Sequence, residues 1–409
     1  MAIKKFWVIA YRDLMRNRRR TLLTLLAVAL GMMVLIMMSG FITGAFAGAL
    51  VDNIRLNTGH LQLRAASYES DKMSLLSQDL LDDPADLAAR AEALPQVQSA
   101  APVLWASGIL STIRESTGLK VIGLDPADDF HAPIRDGIVQ GAYLSPNSRG
   151  EILLGRRLAD DMGIGVGQRV SLAVGNANGP PQEDVFTVVG LFSTGIPNYD
   201  QNIAVMSLDR AQSITGAGRR ASSVIIMLHN RDDVETVAAA LRSPGVGIVT
   251  WQELNSLILE TVKAGKAFYY IIYSIVILVV AVLIANTLLM SVFERTQEMG
   301  ILAALGMKGR QIMLMFLFEA TILALAGIAA GMAMGGAVVA YLARVGISFS
   351  EDAMATVEGF AYGSTMYAEF SPSEAVTLSL FMLTIVTLAA LYPAWYAARL
   401  EPVKALHKL

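Results

Sequence analysis

The sequence contains no cysteine. Every folded part of it is therefore held without disulfides and must build a core of its own. Charge is scarce as well: 16% of the residues are Asp, Glu, Lys or Arg, where a soluble chain ordinarily carries about 25%. That deficit argues for insertion in a bilayer. Histidines are few, and His60, His131, His229 and His407 are scattered without an H-E-x-x-H pattern or cysteine companions. No metal site is expected, and each is read as a surface or strand histidine. No G-x-x-x-x-G-K-[ST] loop occurs, so the chain itself does not bind ATP in that manner. There is no G-x-S-x-G elbow and no serine beside a histidine in a recognisable arrangement, so no catalytic residue is assigned. A hydrolase built from dispersed residues is the lesser alternative. Nothing in the pattern points to nucleic acid. The net charge of −3 says little, because the basic residues are concentrated at one end.

What the chain does have is long uncharged runs. Residues 21–50, 267–293, 320–343 and 375–398 contain no Asp, Glu, Lys or Arg. Roughly 20 apolar residues cross the hydrocarbon core, so each run is long enough to span it. The first is too long for the apolar region of a signal peptide and no small-residue cleavage site ends it. Before it, Lys4, Lys5, Arg12, Arg16, Arg18, Arg19 and Arg20 face the single acid Asp13, which places that end in the cytoplasm. Four spans then put loop 344–374 outside, where Glu351, Asp352, Glu358, Glu369 and Glu374 face only Arg344. The tail, with Arg399, Lys404 and Lys408 against Glu401, returns inside.

The fold class expected is an α-helical membrane protein with four transmembrane helices and a large α+β extracytoplasmic domain. Its parts are a cytoplasmic amphipathic helix (1–20), a first span (21–51), the outer domain (52–266), a second span (267–293), a cytoplasmic helix (291–312), a third span (313–343), an outer loop (344–374), a fourth span (375–398) and a cytoplasmic tail (399–409). Residues 2–15 read as the amphipathic part, lying at the membrane surface or serving only to retain the end inside. In the outer domain, strand-like runs fall at 59–65, 97–112, 119–124, 169–174, 184–192, 201–207, 222–229 and 245–251. Helical runs fall between them, one opened by Asp83 as N-cap to Pro84. GNANGPP, residues 175–181, reads as a hairpin tip, and residues 254–267 as a helix feeding the second span.

Glycines recur every fourth residue at Gly40, Gly44 and Gly48 in the first span and at Gly327, Gly331 and Gly335 in the third. Such ladders let another backbone approach closely, so both spans expect helix partners. Glu319 and Asn286 are the polar residues well inside apolar runs. Counted from Gln311, Glu319 lies about 12 Å along its helix. Each is read either as a gate or proton relay or, preferably, as an interhelical hydrogen-bonded contact.

Between the second and third spans stands SVFERTQEMGILAALGMKGRQI, charged at both ends and apolar in the middle. Topology puts it in the cytoplasm. There, a short helix with Glu294, Arg295 and Glu298 on its first turns and Ile301, Leu302, Leu305 and Met307 beyond offers a docking surface. Gly306 and Gly309 are placed to end it.

This segment resembles the signature of the FtsX/MacB/LolC-LolE superfamily of type VII ABC permeases, in which Glu-Arg-(x)2-Glu-(Ile/Met)-Gly and Ala-Leu-Gly follow the second span. The tail is similar to the family ending through Pro393, Ala394, Ala397, Ala398, Pro402, Ala405 and Leu406. Two outer stretches, LLGRRLADDMGIGVGQRVSL and FTVVGLFSTGIPNYDQNIAVMSLDRAQ, resemble the LolC/LolE branch, the second through Val188, Gly190, Gly195, Tyr199 and Asp200. One departure stands out: the connection 175–184 is short where LolC carries a long hairpin that hooks a periplasmic lipoprotein chaperone.

The resemblance implies a non-catalytic permease in the bacterial inner membrane, with both termini cytoplasmic and the large domain in the periplasm. Its partners would be a cytoplasmic ABC ATPase dimer that binds ATP and Mg, a second permease of the same or a homologous chain, a periplasmic lipoprotein chaperone as a further candidate, and a lipoprotein or lipid as cargo. Glu294, Arg295, Glu298, Met299, Gly300, Ala304, Leu305 and Gly306 would contact the ATPase. The glycine face of the first span, with Ile284 and Leu288, would line a lipid-accessible cavity. The function implied is ATP-driven lipoprotein release by mechanotransmission. The alternatives are a MacB-like efflux permease for peptides or drugs, against which stands the missing N-terminal ATPase, and an FtsX-like signalling permease controlling a cell-wall hydrolase, whose outer domain is smaller.

Overall fold

The computed structural model describes residues 16, 18–68, 75–146, 148–350 and 363–399. The amphipathic segment 2–15, the acids Glu351, Asp352 and Glu358, and the tail residues beyond Arg399 lie outside them. The described residues divide into two compact units, one within Met1–Ala45, Val262–Ile347 and Tyr367–Leu409, the other within Phe46–Thr261 and Ser348–Met366.

Helix α1, Arg18–Asn53, runs from the first unit into the second and ends in a π-helical turn, Ile54–Thr58. The second unit then builds its sheet in chain order. The elements are β1 (Leu61–Ala65), α2 (Pro84–Glu92), β2 (Val97–Ser111), β3 (Ser116–Leu124), α3 (Ala132–Asp136), β4 (Ile138–Gly141), β5 (Glu151–Gly155), α4 (Arg156–Met162), β6 (Arg169–Val174), β7 (Gln182–Phe192), α5 (Pro197–Gln201), β8 (Ile203–Ser207), α6 (Leu208–Thr215), β9 (Ser223–Leu228), α7 (Val234–Leu241), β10 (Val246–Thr250) and α8 (Trp251–Leu254).

The strands form one ten-stranded sheet in the order β10-β1-β9-β2-β3-β8-β5-β7-β4, with β6 bridging β2 and β7. Alternation along β2 shows how it buries both faces: Ala101, Val103 and Trp105 join one core, while Leu104, Ala106 and Leu110 join another. Helices α2 and α7 contribute Leu87, Ala91, Val237 and Leu241 to a third cluster, over Leu61 and Leu63 of β1. Residues 175–181 do turn between the antiparallel strands β6 and β7, where Val174 faces Gln182.

Two local readings need correction. Asp83 does not cap α2 with its side chain; it adopts a left-handed conformation, φ 45°, with no cap hydrogen bond. Strands β4 and β5 are absent from the sequence reading. Tyr199 and Asp200 of the family-like run are structural. The Asp200 carboxylate accepts from the Ser193 hydroxyl at 2.9 Å, the Thr194 hydroxyl at 2.8 Å and the Thr194 amide at 3.0 Å, closing the loop after β7. A Cβ at Gly155 would collide with the Asp200 carbonyl, so the turn into α4 tolerates only glycine.

In the first unit, α9 (Ser256–Glu294), α10 (Thr296–Ala304), α11 (Gly309–Val345) and α12 (Pro372–Ala398) follow, with the two-residue strands β11 (Ile347–Ser348) and β12 (Thr365–Met366) between the last two. Among the described residues, four helices are long and apolar enough to cross a membrane: α1 with its π-turn, α9, α11 and α12. Residues 254–267 belong to α8 and the first turns of α9.

The two glycine ladders behave differently. A Cβ at Gly327, Gly331 or Gly335 would press into Val28, the Ala29 carbonyl or Ile36, so this ladder seats α11 directly on α1. In the first span, Gly40 meets Val339 of α11. Gly44 meets the backbone of residues 367–369, and nothing lies within 4 Å of a Cβ at Gly48. The first ladder is therefore not one continuous helix seam. Ile284 and Leu288 are buried in the helical core beside Val280 and Ile277, so in this structure they are packing residues and not walls of an open cavity.

Candidate functional site

Residues 291–312 are not one helix. The structure breaks them at two places. Ser291 to Glu294 finish α9, Arg295 steps out of helical geometry at φ −105° and ψ 15°, α10 occupies Thr296–Ala304, and Gly309 opens α11. The second break follows from Gly306, whose φ of 94° lies where glycine is favoured. The amides of Gly306 and Met307 donate to the carbonyls of Ala303 and Leu302, both at 3.0 Å, and close the end of α10. Gln311 then accepts the Lys308 amide at 2.9 Å and starts the next helix.

The first break has a side-chain cause. Arg295 is turned inward, only 3% exposed, and its guanidinium lies 3.7 Å from the carboxylate of Glu319 on α11. Leaving either charge alone in that interior would cost several kcal/mol, so each supports the burial of the other. This corrects the expectation for Arg295 and agrees with the preferred reading of Glu319. Arg295 faces the bundle and is no surface for a partner. Glu319 is an interhelical contact, tying the turn before α10 to the third long helix. Asn286 shows no comparable role: it lies on the exposed flank of α9, with no hydrogen-bond partner for its side chain among the described residues.

Glu294 and Glu298 stay outside and meet arginines of α1 and the residues before it. Arg16 Nη2 reaches both oxygens of Glu298, at 2.7 and 2.9 Å, and Arg20 Nη1 reaches Glu294 at 2.9 Å. The glutamate side chains keep nearly half their surface, 42% for Glu294 and 48% for Glu298, so each still has lone pairs free for a further donor.

Burial sorts the rest of α10 into two faces. Met299 and Gly300 are buried against the bundle. Gln297, Glu298, Ile301, Ala304 and Leu305 are exposed, and their spacing places them along one stripe of the helix. Ile301 and Leu305 are 52% and 80% exposed, an apolar strip next to a carboxylate. Of the residues expected at a partner surface, the structure therefore brings together Glu298, Ala304 and Leu305, with Glu294 and Gly306 at the two ends. It withdraws Arg295, Met299 and Gly300. Ile301 of the expected apolar side stays exposed, whereas Leu302 and Met307 pack against the helical core. The structure adds Gln297, which the four-residue spacing 297, 301, 305 marks in the sequence, and the arginine partners Arg16 and Arg20, which no local pattern marks.

Comparison with known proteins bears on what such a face is for. A family model described as the MacB-like periplasmic core domain matches residues 21–243, and one described as the FtsX-like permease C-terminal matches residues 270–402. The chain is similar to the lipoprotein-releasing system transmembrane protein LolC of Xylella fastidiosa, 26% identical over 76% of this chain and 78% of that protein. LolC of Neisseria meningitidis is 24% identical over the same shares. The pyoverdine export ATP-binding/permease protein PvdT of Pseudomonas entomophila is 27% identical over 97% of this chain but 58% of its own length. Among solved structures, the periplasmic region of MacB from Actinobacillus actinomycetemcomitans aligns with a TM-score of 0.35 and 13% identity, covering 51% of this chain and 97% of that one. The chain belongs to the FtsX/MacB type of ABC-transporter permease: a non-catalytic, multi-pass membrane subunit with a large periplasmic domain, which works with an ATPase partner.

Proposed function

We propose that this chain is a permease subunit of the lipoprotein-releasing kind, drawing lipoproteins or lipids from the outer leaflet of the inner membrane and passing them toward the outer membrane by mechanotransmission. The observation that carries the coupling part of this reading is the exposed stripe of α10, which joins two membrane-spanning helices and is backed by a buried ion pair. A soluble ATPase dimer, holding ATP and Mg in its own sites, docks on Gln297, Glu298, Ile301, Ala304 and Leu305. Its closure moves α10, and the Arg295–Glu319 pair makes α11 move with it. A second permease of the same or a homologous kind completes the complex, and both termini of this chain are cytoplasmic, as the basic residues before α1 favour. Likeness to LolC over about three quarters of both chains supports a lipoprotein cargo. The short turn 175–181 gives a periplasmic chaperone less to hold than a long hairpin would.

A second reading, export of peptides or drugs, is favoured by the likeness to PvdT over 97% of this chain. Purification from the native membrane separates the two. An ATPase recovered with an acylated protein supports lipoprotein release. An ATPase recovered with soluble or drug-like cargo supports export. Recovery without any ATPase contradicts both.

A further inference from the structure

Strand β10 is the last strand of the sheet on one side, and its free edge can be read from its bonds to β1. Leu61 faces Thr250 and Ala65 faces Val246. At the two ends of this ladder the Trp251 amide donates to the His60 carbonyl and the Ala66 amide to the Gly245 carbonyl. In an antiparallel pair, bonded and non-bonded residues alternate. Positions 245, 247, 249 and 251 therefore bond inward, and Val246, Ile248 and Thr250 turn their amides and carbonyls outward. Two of those amides are satisfied locally, Val246 by the Ser243 carbonyl at 3.2 Å and Thr250 by Glu253 at 3.0 Å. Ile248 keeps both an N–H and a C=O facing out, and no other strand among the described residues pairs with that edge.

Edges of this kind are usually blunted by lysine, proline, a bulge or a covering helix. VGIVT carries neither lysine nor proline, and every residue of β10 is half-buried. Beside it runs a groove of about 660 Å³ under α7, into which Val246, Ile248 and Thr250 project. A second groove, of about 520 Å³, continues around the turn at Ser243, Pro244 and Val246. Charge along the pair is unbalanced. Glu235 and Glu253 line the first groove against Arg242, and Asp82, Asp83 and Asp86 line the second against Arg90.

We infer that the β10 edge is a docking site for an extended, basic peptide segment of a partner protein, which adds as a further strand opposite Ile248 and lays lysine or arginine side chains along the acidic grooves. Main-chain bonds supply the attachment and alternate side chains the selectivity. The inference rests on the periplasmic unit alone and is independent of the cargo and of the ATPase face.

The test uses the full chain in detergent and a fluorescent decapeptide of alternating lysine and valine, with a glutamate–valine peptide as control. Binding is read by anisotropy and by hydrogen exchange over residues 246–250. The basic peptide binds, weakens with added salt and slows exchange across β10, while the acidic peptide does not bind. Ile248→Pro removes the outward amide at an edge position where proline is tolerated and weakens binding about tenfold or more. Glu235→Lys, which leaves the strand untouched, weakens it several-fold. Equal binding of both peptides, binding unaffected by both substitutions, or binding without protection of residues 246–250 overturns the inference. So does self-association of the chain that Ile248→Pro abolishes, which would assign the edge to a second copy.

Discussion

Replacing Arg295 with methionine removes one half of a pair that is nearly closed to solvent, with side-chain exposures of 4% for Arg295 and 8% for Glu319. At 3.7 Å and an effective dielectric of about 20, the attraction lost is about 4 kcal/mol. The observed cost should be similar, about 3–5 kcal/mol, because the remaining charge loses a counter-charge in a nearly closed site. Glu319→Leu should cost a comparable amount. The double replacement removes both charges and should lie closer to the wild type than either single change, with a coupling free energy of at least about 2 kcal/mol. Reversible unfolding of the full chain in detergent measures all four corners of that cycle. A functional readout goes with it: stability returns in the double variant, but ATPase stimulation in the reconstituted complex does not, because the tie between α10 and α11 has lost its polarity and geometry. Additive single-site costs would refute the claim that the pair acts as a unit. Full stimulation in the double variant would refute its part in transmission.

Other predictions follow from the same contacts. Gly331→Ala forces a methyl group against the Ala29 carbonyl and should destabilise the bundle by about 1–3 kcal/mol, whereas Gly48→Ala enters open space and should be neutral or stabilising by up to about 1 kcal/mol; thermal unfolding in detergent compares the two. Arg16→Ala breaks a half-exposed ion pair and should change stability by less than about 1 kcal/mol, while Glu298→Lys should abolish transport-linked ATP hydrolysis and leave membrane insertion intact. His131 is buried with its Nδ1 atom unpaired, and burial pushes its pKa well below the usual imidazole value of about 6.5, down to about 3. The unfolded chain therefore binds the proton first as pH falls below 6.5, and the periplasmic unit should be about 2 kcal/mol less stable at pH 5 than at pH 7.5. Proteolysis rates across that range should show the loss, and His131→Phe should remove it.

Much of this architecture is written in local patterns. The uncharged runs specify the long helices because bilayer thickness leaves few other solutions. Eight of the strands are legible because their residues are β-branched and bounded by turn residues. Strand β4 was not, since IVQG is short and exposed at a sheet edge. Strand β5 was hidden because EILLG passes into α4 through the single glycine Gly155, with no longer run of turn residues between. The candidate site divides in the same way. The exposed stripe of α10 follows from helical spacing, but the fate of Arg295 depends on Glu319, a residue on another helix, and no local pattern distinguishes an arginine that faces a partner from one that faces the core. The glycine ladders illustrate the same limit. Spacing shows that Gly40, Gly44 and Gly48 share a face, yet only the packing reveals that one meets a helix, one a backbone segment and one nothing.

The central claim is that the outer stripe of α10 docks an ATPase while its inner face holds the bundle. Site-specific photo-crosslinking from positions 299, 301 and 305 in native membranes tests it most directly. Crosslinks to an ATPase from 301 and 305, and to this chain itself from 299, are the predicted result. An ATPase captured from 299 as readily as from 305, or from none of the three, would contradict it.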